Sequence, residues 1–267
     1  MLMISRVSPF WRSTLVVLAA LIAINAWDLL TAIGLVSLVP NAAHDELLLY
    51  LVVKGSFALA LCLAFSQFGL WRRFGFTGGL NPYLWPVLMP IWIAALASSG
   101  EGLGVHDAAE VAGWVLLAGI IGFGEEAIFR GVIIDALLGS PPEGSTRTIG
   151  ATRRAMLVSG LLFGLMHLSG LAIKGIDPQV IYGQSLFAGG IGVVLAWVRL
   201  RGASIWPGIL AHAVLDACGL IAGGGVEKAL EAPVTNYVYL WAMGGLSIAW
   251  GLLLAWRWPM TKGAGPH

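Results

Sequence analysis

The sequence predicts an all-α, polytopic membrane protein with eight transmembrane helices and both termini in the cytoplasm. Three observations carry that expectation. Hydrophobic residues make up 58% of the chain and charged residues only 11%, a balance no ordinary soluble domain has. Apolar runs near the roughly 20 residues needed to cross the hydrocarbon recur at about 13–39, 46–70, 82–99, 110–138, 152–173, 178–198, 203–222 and 237–257. The charges between those runs are sorted: Arg6, Arg12, Arg72, Arg73, Arg147, Arg153, Arg154, Arg199, Arg201, Arg257 and Lys262 all fall on one side of an eight-span path. The opposite loops carry Asp45, Glu46, Glu101, Asp107, Glu110, Asp177, Glu227 and Glu231, with Lys174 and Lys228 as their cations. The positive-inside rule then puts the arginine side in the cytoplasm. A formal net charge of +1 hides this sorting and points to no nucleic-acid partner.

Taken in order, the first run is too long for a signal-peptide core and lacks a small-x-small cleavage site, so it reads as a retained helix. It holds Asp28, and the second run holds Lys54 at a similar depth, which suggests mutual neutralisation. The third run is interrupted by Pro86 and Pro90, residues that kink a membrane helix. The fourth, ending at the Gly139-Ser140-Pro141-Pro142 break, contains Gly124-Glu125-Glu126-Ala127-Ile128-Phe129-Arg130-Gly131. The fifth carries Phe163 and His167, and the seventh carries His212 and Asp216. Gly223-Gly224-Gly225 reads as a flexible outer loop, and Thr261–His267 as a short polar tail. Trp71, Trp197, Trp206, Trp256 and Trp258 lie beside the cytoplasmic arginines, as an interfacial aromatic belt does. Cys62 and Cys218 stand in apolar runs, which excludes a disulfide framework and a paired-cysteine metal site. The chain divides into helices one and two (1–74), a core (75–222), and an outer loop, last helix and tail (223–267).

The intramembrane charges are the functional signal. Each costs roughly 2.5–3.5 kcal/mol at the bilayer centre, so such residues face a polar interior and mark sites. Glu126 and Arg130 are four apart with the acid first, the favourable order for a helical pair, while Glu125 is rotated by roughly 100°. One carboxylate is therefore neutralised locally and the other is left for chemistry. At about 1.5 Å per residue, Glu125, His167, His212 and Asp216 all fall in one layer near the middle of the bilayer. A glutamate beside a histidine can hold and deprotonate a water, and the second histidine with its helical neighbour can stabilise an oxyanion. The same ligand types, Glu125, His167 and His212, are also those of a zinc site with an open position. No HExxH, no GxSxG and no serine or cysteine in a nucleophile context occurs.

Glu125-Glu126-x-x-x-Arg130, Phe163-x-x-x-His167 and His212-x-x-x-Asp216, in that order on successive helices, resemble the three motifs of the CPBP intramembrane proteases, which include the CAAX prenyl endopeptidases. The resemblance covers roughly residues 75–222. It implies an eight-span helical fold with a water-filled cavity in the membrane, and hydrolysis of a peptide bond near a substrate's C-terminus or membrane segment. Carried over by motif, Glu125 activates water with His167, His212 and Asp216 stabilise the tetrahedral oxyanion, and Glu126, Arg130 and Phe163 support the site. An ionised Asp216 cannot donate to an oxyanion, so it is either protonated or orients His212. The implied partners are membrane lipid and a peptide or protein with a membrane-associated segment, the implied location is a bacterial inner membrane, and no cofactor is required unless zinc is used. From other functional classes, a proton-coupled transporter or a non-catalytic immunity protein can use the same residues. Transporters commonly carry internal repeats with broken helices, and no repeat is visible here.

Overall fold

The computed structural model describes residues 9–39, 45–99, 107–139, 147–172, 176–202, 204–225 and 235–257. Arg6, Glu101, Lys174, Glu227, Lys228, Glu231, Trp258, Lys262, the Ser140-Pro141-Pro142 break and both chain ends lie outside them. Among the described residues the regular structure is all helical. The helices are α1 (Pro9–Leu38), α2 (Glu46–Gln67), α3 (Met89–Ser99, entered through a 3₁₀ turn at Pro82–Leu88), α4 (Ala108–Leu138), α5 (Ile149–His167, prolonged by a 3₁₀ turn at Leu168–Ala172), α6 (Pro178–Gly202), α7 (Trp206–Gly223) and α8 (Thr235–Arg257). Short polar residues start several of them. Asp45, Asp107 and Thr148 accept from the backbone N–H three residues on, at 2.9, 2.7 and 3.2 Å, as N-caps do.

Seven of the helices are long and apolar enough to cross a membrane, and the eighth apolar helix, Tyr83–Ser98, is shorter. That short one is the segment the prolines interrupt. Pro86 lies inside its 3₁₀ portion, where a missing N–H costs less than in an α-helix. A 3₁₀ turn rises about 2.0 Å per residue against 1.5 Å for an α-helix, so Pro82–Ser99 still reaches about 30 Å, the thickness of the hydrocarbon.

The connections fix an alternating path. At one end, Ile205 N–H donates to Gly75 O (3.1 Å), Trp206 Nε1–H to Phe76 O (2.8 Å), Arg199 Nε–H to Phe74 O (3.2 Å), and Arg73 pairs with Asp135 (2.7 Å). Ser13 Oγ–H on α1 reaches Ala136 O on α4 there too (2.6 Å). The described arginine-bearing loops thus meet at one end, as the charge sorting predicts. At that end Trp71 and Trp206 stand edge-on to Phe76 at 5.0 and 5.8 Å. Trp206 and Trp256 are both exposed there, Trp206 while tied to the 68–76 loop through Phe76 O. At the other end Tyr239 O–H on α8 donates to Ala94 O on α3 (3.0 Å). Gly224, at φ +69°, ends α7 in the left-handed conformation, and the N–H of Gly225 closes on Leu220 O at 3.1 Å. This part of the glycine run is therefore a helix stop.

Helix α6 is the centre, packed between α5 and α8, while α4 packs on α7 and α2. The α5–α6 contact is backbone on backbone. A Cβ at Gly164 meets Ser185 O at 2.7 Å, and one at Gly160 meets Gly189 O at 2.9 Å, the small-residue crossing by which membrane helices associate. Helices α1 and α2 form the outer layer and present many apolar side chains outward. Asp28 and Lys54 join them by an ion pair, as their common depth predicts.

Candidate active site

Helix α4 brings two carboxylates to the centre of the molecule and then changes pitch. It is α-helical from Ala108 to Glu126, π-helical from Ala127 to Ile133, and α-helical again to Leu138. A π turn bonds i to i+5 and is found mostly at functional sites. The altered ladder leaves Phe129 O to accept from Ser159 Oγ–H on α5 at 3.0 Å, fully buried. Gly122, one turn before the acids, lets α7 approach: a Cβ there meets Ile209 O at 3.1 Å and Ala213 N at 3.2 Å. That approach sets His212 against the two glutamates.

The imidazole of His212 is gripped on both nitrogens. Nδ1 lies 3.2 Å from Glu126 Oε1, and Nε2 lies 3.7 Å from Glu125 Oε2 and 3.5 Å from Asp216 Oδ2. A carboxylate accepts, so Nδ1–H donates to Glu126 and Nε2 faces the other two acids. Glu126 Oε1 is also 2.9 Å from Arg130 Nη1, and both side chains are wholly buried. Room for that pair is made by glycines: a Cβ at Gly208 meets Glu126 Oε2 at 3.2 Å, and one at Gly192 meets Arg130 Nη2 at 3.2 Å. The carboxylates of Glu125, Glu126 and Asp216 thus surround one imidazole with one guanidinium beside them.

Phe163 joins the remaining parts. Its ring lies under the Arg130 guanidinium at 4.4 Å, and edge-on to Phe129, His167 and His212 at 4.9, 4.8 and 5.7 Å between ring centres. Cation–π contact with a desolvated guanidinium is favourable by about 2 kcal/mol. His167, the last residue of α5, has Nδ1 2.8 Å from Phe163 O. The carbonyl can only accept, so Nδ1 carries the proton and Nε2 is left as an acceptor. His167 is half-buried and within electrostatic reach of Glu125 and His212. Among the described residues no three His, Cys, Asp or Glu side chains are grouped to hold a metal ion.

All seven residues singled out in the sequence therefore stand around Phe163 and His212. Two features differ from the sequence reading. Glu126 pairs with Arg130 as its spacing predicts, but it also holds His212, because adjacent helical residues about 100° apart can straddle a ring pointed between them. Asp216 shares the Nε2 side of His212 with Glu125, so the group on Nδ1 is Glu126. Ser159, Gly192 and Gly208 went unnoticed in the sequence, since a small residue in an apolar helix gives no local sign of what it faces. Cys62 and Cys218 are free thiols.

Residues 107–218 match the family model described as type II CAAX prenyl endopeptidase Rce1-like, a span that includes every one of the seven residues above. Neither a curated protein nor a solved structure matches the chain. With apolar helices long enough to cross the membrane repeatedly, the chain is an integral, multi-pass membrane protein whose helices α4 to α7 are similar to the intramembrane, CAAX-type proteases.

Proposed function

We propose that the protein is a glutamate-dependent intramembrane endopeptidase in which Glu125 is the general base. The observation that carries this reading is the division of labour between the two glutamates: Glu126 Oε1 is held by both Arg130 and His212, whereas Glu125 has no arginine partner and its buried Oε2 makes no hydrogen bond. A carboxylate held without a donor in a buried layer is a poor structural element and a competent base. Glu125, assisted by His167 Nε2, takes a proton from water as the oxygen attacks the substrate's carbonyl carbon. His212 Nε2–H, held by Asp216 when Glu125 turns to the water, donates to the oxyanion of the tetrahedral adduct. The proton on Glu125 then passes to the leaving amine, the C–N bond breaks, and the base is restored. Glu126, anchored by Arg130, keeps the His212 ring in place, and Phe163 fixes the spacing of the two histidines.

The reaction we propose uses these side chains alone: His212 Nδ1 is turned to Glu126 Oε1 at 3.2 Å, and no step is routed through a metal. The substrate is a peptide bond in a membrane-associated or C-terminally processed chain, and the location we assign is a bacterial inner membrane.

The test is cleavage by purified protein in lipid vesicles of two quenched probes. One is a peptide ending in S-farnesyl-cysteine and three aliphatic residues, and the other is an unlipidated single-span peptide. Glu125→Gln, which keeps the size and removes the base, is expected to cut the rate by about 10²–10⁴-fold, with no effect of a zinc chelator on the wild type. Equal rates for Glu125→Gln and wild type overturn the role of Glu125, and loss of wild-type activity on chelation moves the reaction to a metal.

A further inference from the structure

We infer that Gln184 of α6 is a substrate-binding residue, whose carboxamide takes the N–H and C=O of a peptide unit beside the bond to be cut; the inference rests on the reading of this site as the place of hydrolysis. Gln67 and Gln179 lie at the ends of α2 and α6, whereas Gln184 lies inside a membrane helix. Packing sets its height. Gly164 of α5 lies against Ser185 and Gly189, and Gly170 against Ile181. Helices α5 and α6 run antiparallel, so His167, midway between those two glycines, is level with Gln184. Helical phase sets its direction. Ala188, four residues on, belongs to the apolar cluster of Phe163, and Ile191, seven on, to that of Ala211, the residue before His212. Residues at these spacings share a face. Gln184 therefore continues a line that runs between α5 and α7, where the two histidines stand.

Two observations give the position a use. Gln184 is half-buried and makes no hydrogen bond among the described residues, although a carboxamide offers two donors and an acceptor. Asn25, a carboxamide inside α1, is by contrast satisfied by Leu21 O at 2.8 Å. There is also room on the facing helix. A Cβ at Gly208 of α7 meets Leu195 of α6 at 3.7 Å. The two helices run antiparallel, so Gly219, as far beyond Gly208 as Gln184 is before Leu195, is level with the glutamine. Gly219 shares the face of His212, seven residues before it, and a Cβ there meets nothing within 4 Å. An extended peptide fits the unused hydrogen bonds. A membrane segment must unwind to be cut, and in an apolar layer each backbone N–H and C=O so freed needs a partner. A carboxamide answers both atoms of one peptide unit, and here it does so beside His167 and His212.

The test pairs changes in protein and substrate, on whichever quenched probe the wild type cuts in vesicles. Each peptide unit near the cut, the scissile one excepted, is replaced in turn by an ester, which removes one N–H. Gln184→Met, close in shape and apolar, is expected to lower kcat/KM on the parent probe about 10-fold, the scale of a lost hydrogen-bonded contact. Its melting temperature in detergent is expected to equal or exceed that of the wild type, since no internal bond is lost. At one position the ester probe is expected to be cut slowly by the wild type and no more slowly by Gln184→Met. A loss that is the same factor on every ester probe marks a structural role and overturns the inference. So does a wild-type kcat/KM for Gln184→Met while Glu125→Gln is inactive, an outcome that leaves the role of Glu125 standing. Equal cleavage by wild type and Glu125→Gln places the reaction elsewhere and removes both.

Discussion

Arg130 is the residue on which the buried charges depend. Its guanidinium is the counter-ion of Glu126, lies over Phe163, and is wholly buried. Arg130→Met removes the arginine counter-ion of Glu126 inside the protein and leaves it only His212, a loss of about 3–5 kcal/mol. The Arg73–Asp135 pair has an arginine side chain 57% exposed, and Asp135→Asn is expected to cost no more than about 1 kcal/mol. Denaturation midpoints in detergent measure both, and equal losses refute the assignment of Arg130 as the central counter-ion. At this scale the sequence was informative because charge in an apolar run is rare and therefore conspicuous. Glu126 with Arg130 followed from spacing alone, and Asp28 with Lys54 from depth. The grip of Glu126 on His212 did not, since it depends on how α7 is rotated against α4.

The elements show where legibility ends. Helix positions follow from runs of apolar residues, and the eight segments fall close to where the composition sets them. The pitch of a helix is another matter. Nothing in Ala127–Ile133 distinguishes a π turn from an α turn, and the groups set against that turn, Ser159 on Phe129 O and Gly192 beside Arg130, come from other helices. Glycines have the same double meaning, and the structure sorts them. Gly164 faces backbone, with a Cβ 2.7 Å from Ser185 O, whereas Gly150 on the same helix has open space around it. Gly164→Ala is expected to separate α5 from α6, lower the melting temperature and abolish cleavage through Phe163 and His167. Gly150→Ala is expected to be neutral or to stabilise by up to about 1 kcal/mol. Thermal melts of the two variants in one detergent check the pair, and a neutral Gly164→Ala contradicts the tight crossing.

Over the whole molecule the packing is uneven. Buried residues make up 61% of the most apolar stretch of α6, against 17% and 11% for α1 and α2. Local opening follows contact density, so hydrogen exchange in vesicles is expected to be slowest in α6 and much faster in α1 and α2. Equal protection across all three runs against this layering. The uneven packing also explains why the outer layer was easy to read and the core was not: a helix facing lipid on most sides needs only apolar residues, while α6 must satisfy α5 and α8 at once.

The wide turn of α4 bears on how this site can be lost. An i→i+5 turn holds about one residue more than the α turn it replaces, so the path from Ala108 to Leu138 contains a surplus residue. Removing one, such as Val132, lets the ladder close as plain α-helix with the halves bearing Glu125 and Asp135 close to their present phase, whereas the same deletion in a flanking α turn swings one half against the other by about 100°. A deletion of three nucleotides is therefore expected to be far better tolerated inside the wide turn than on either side of it.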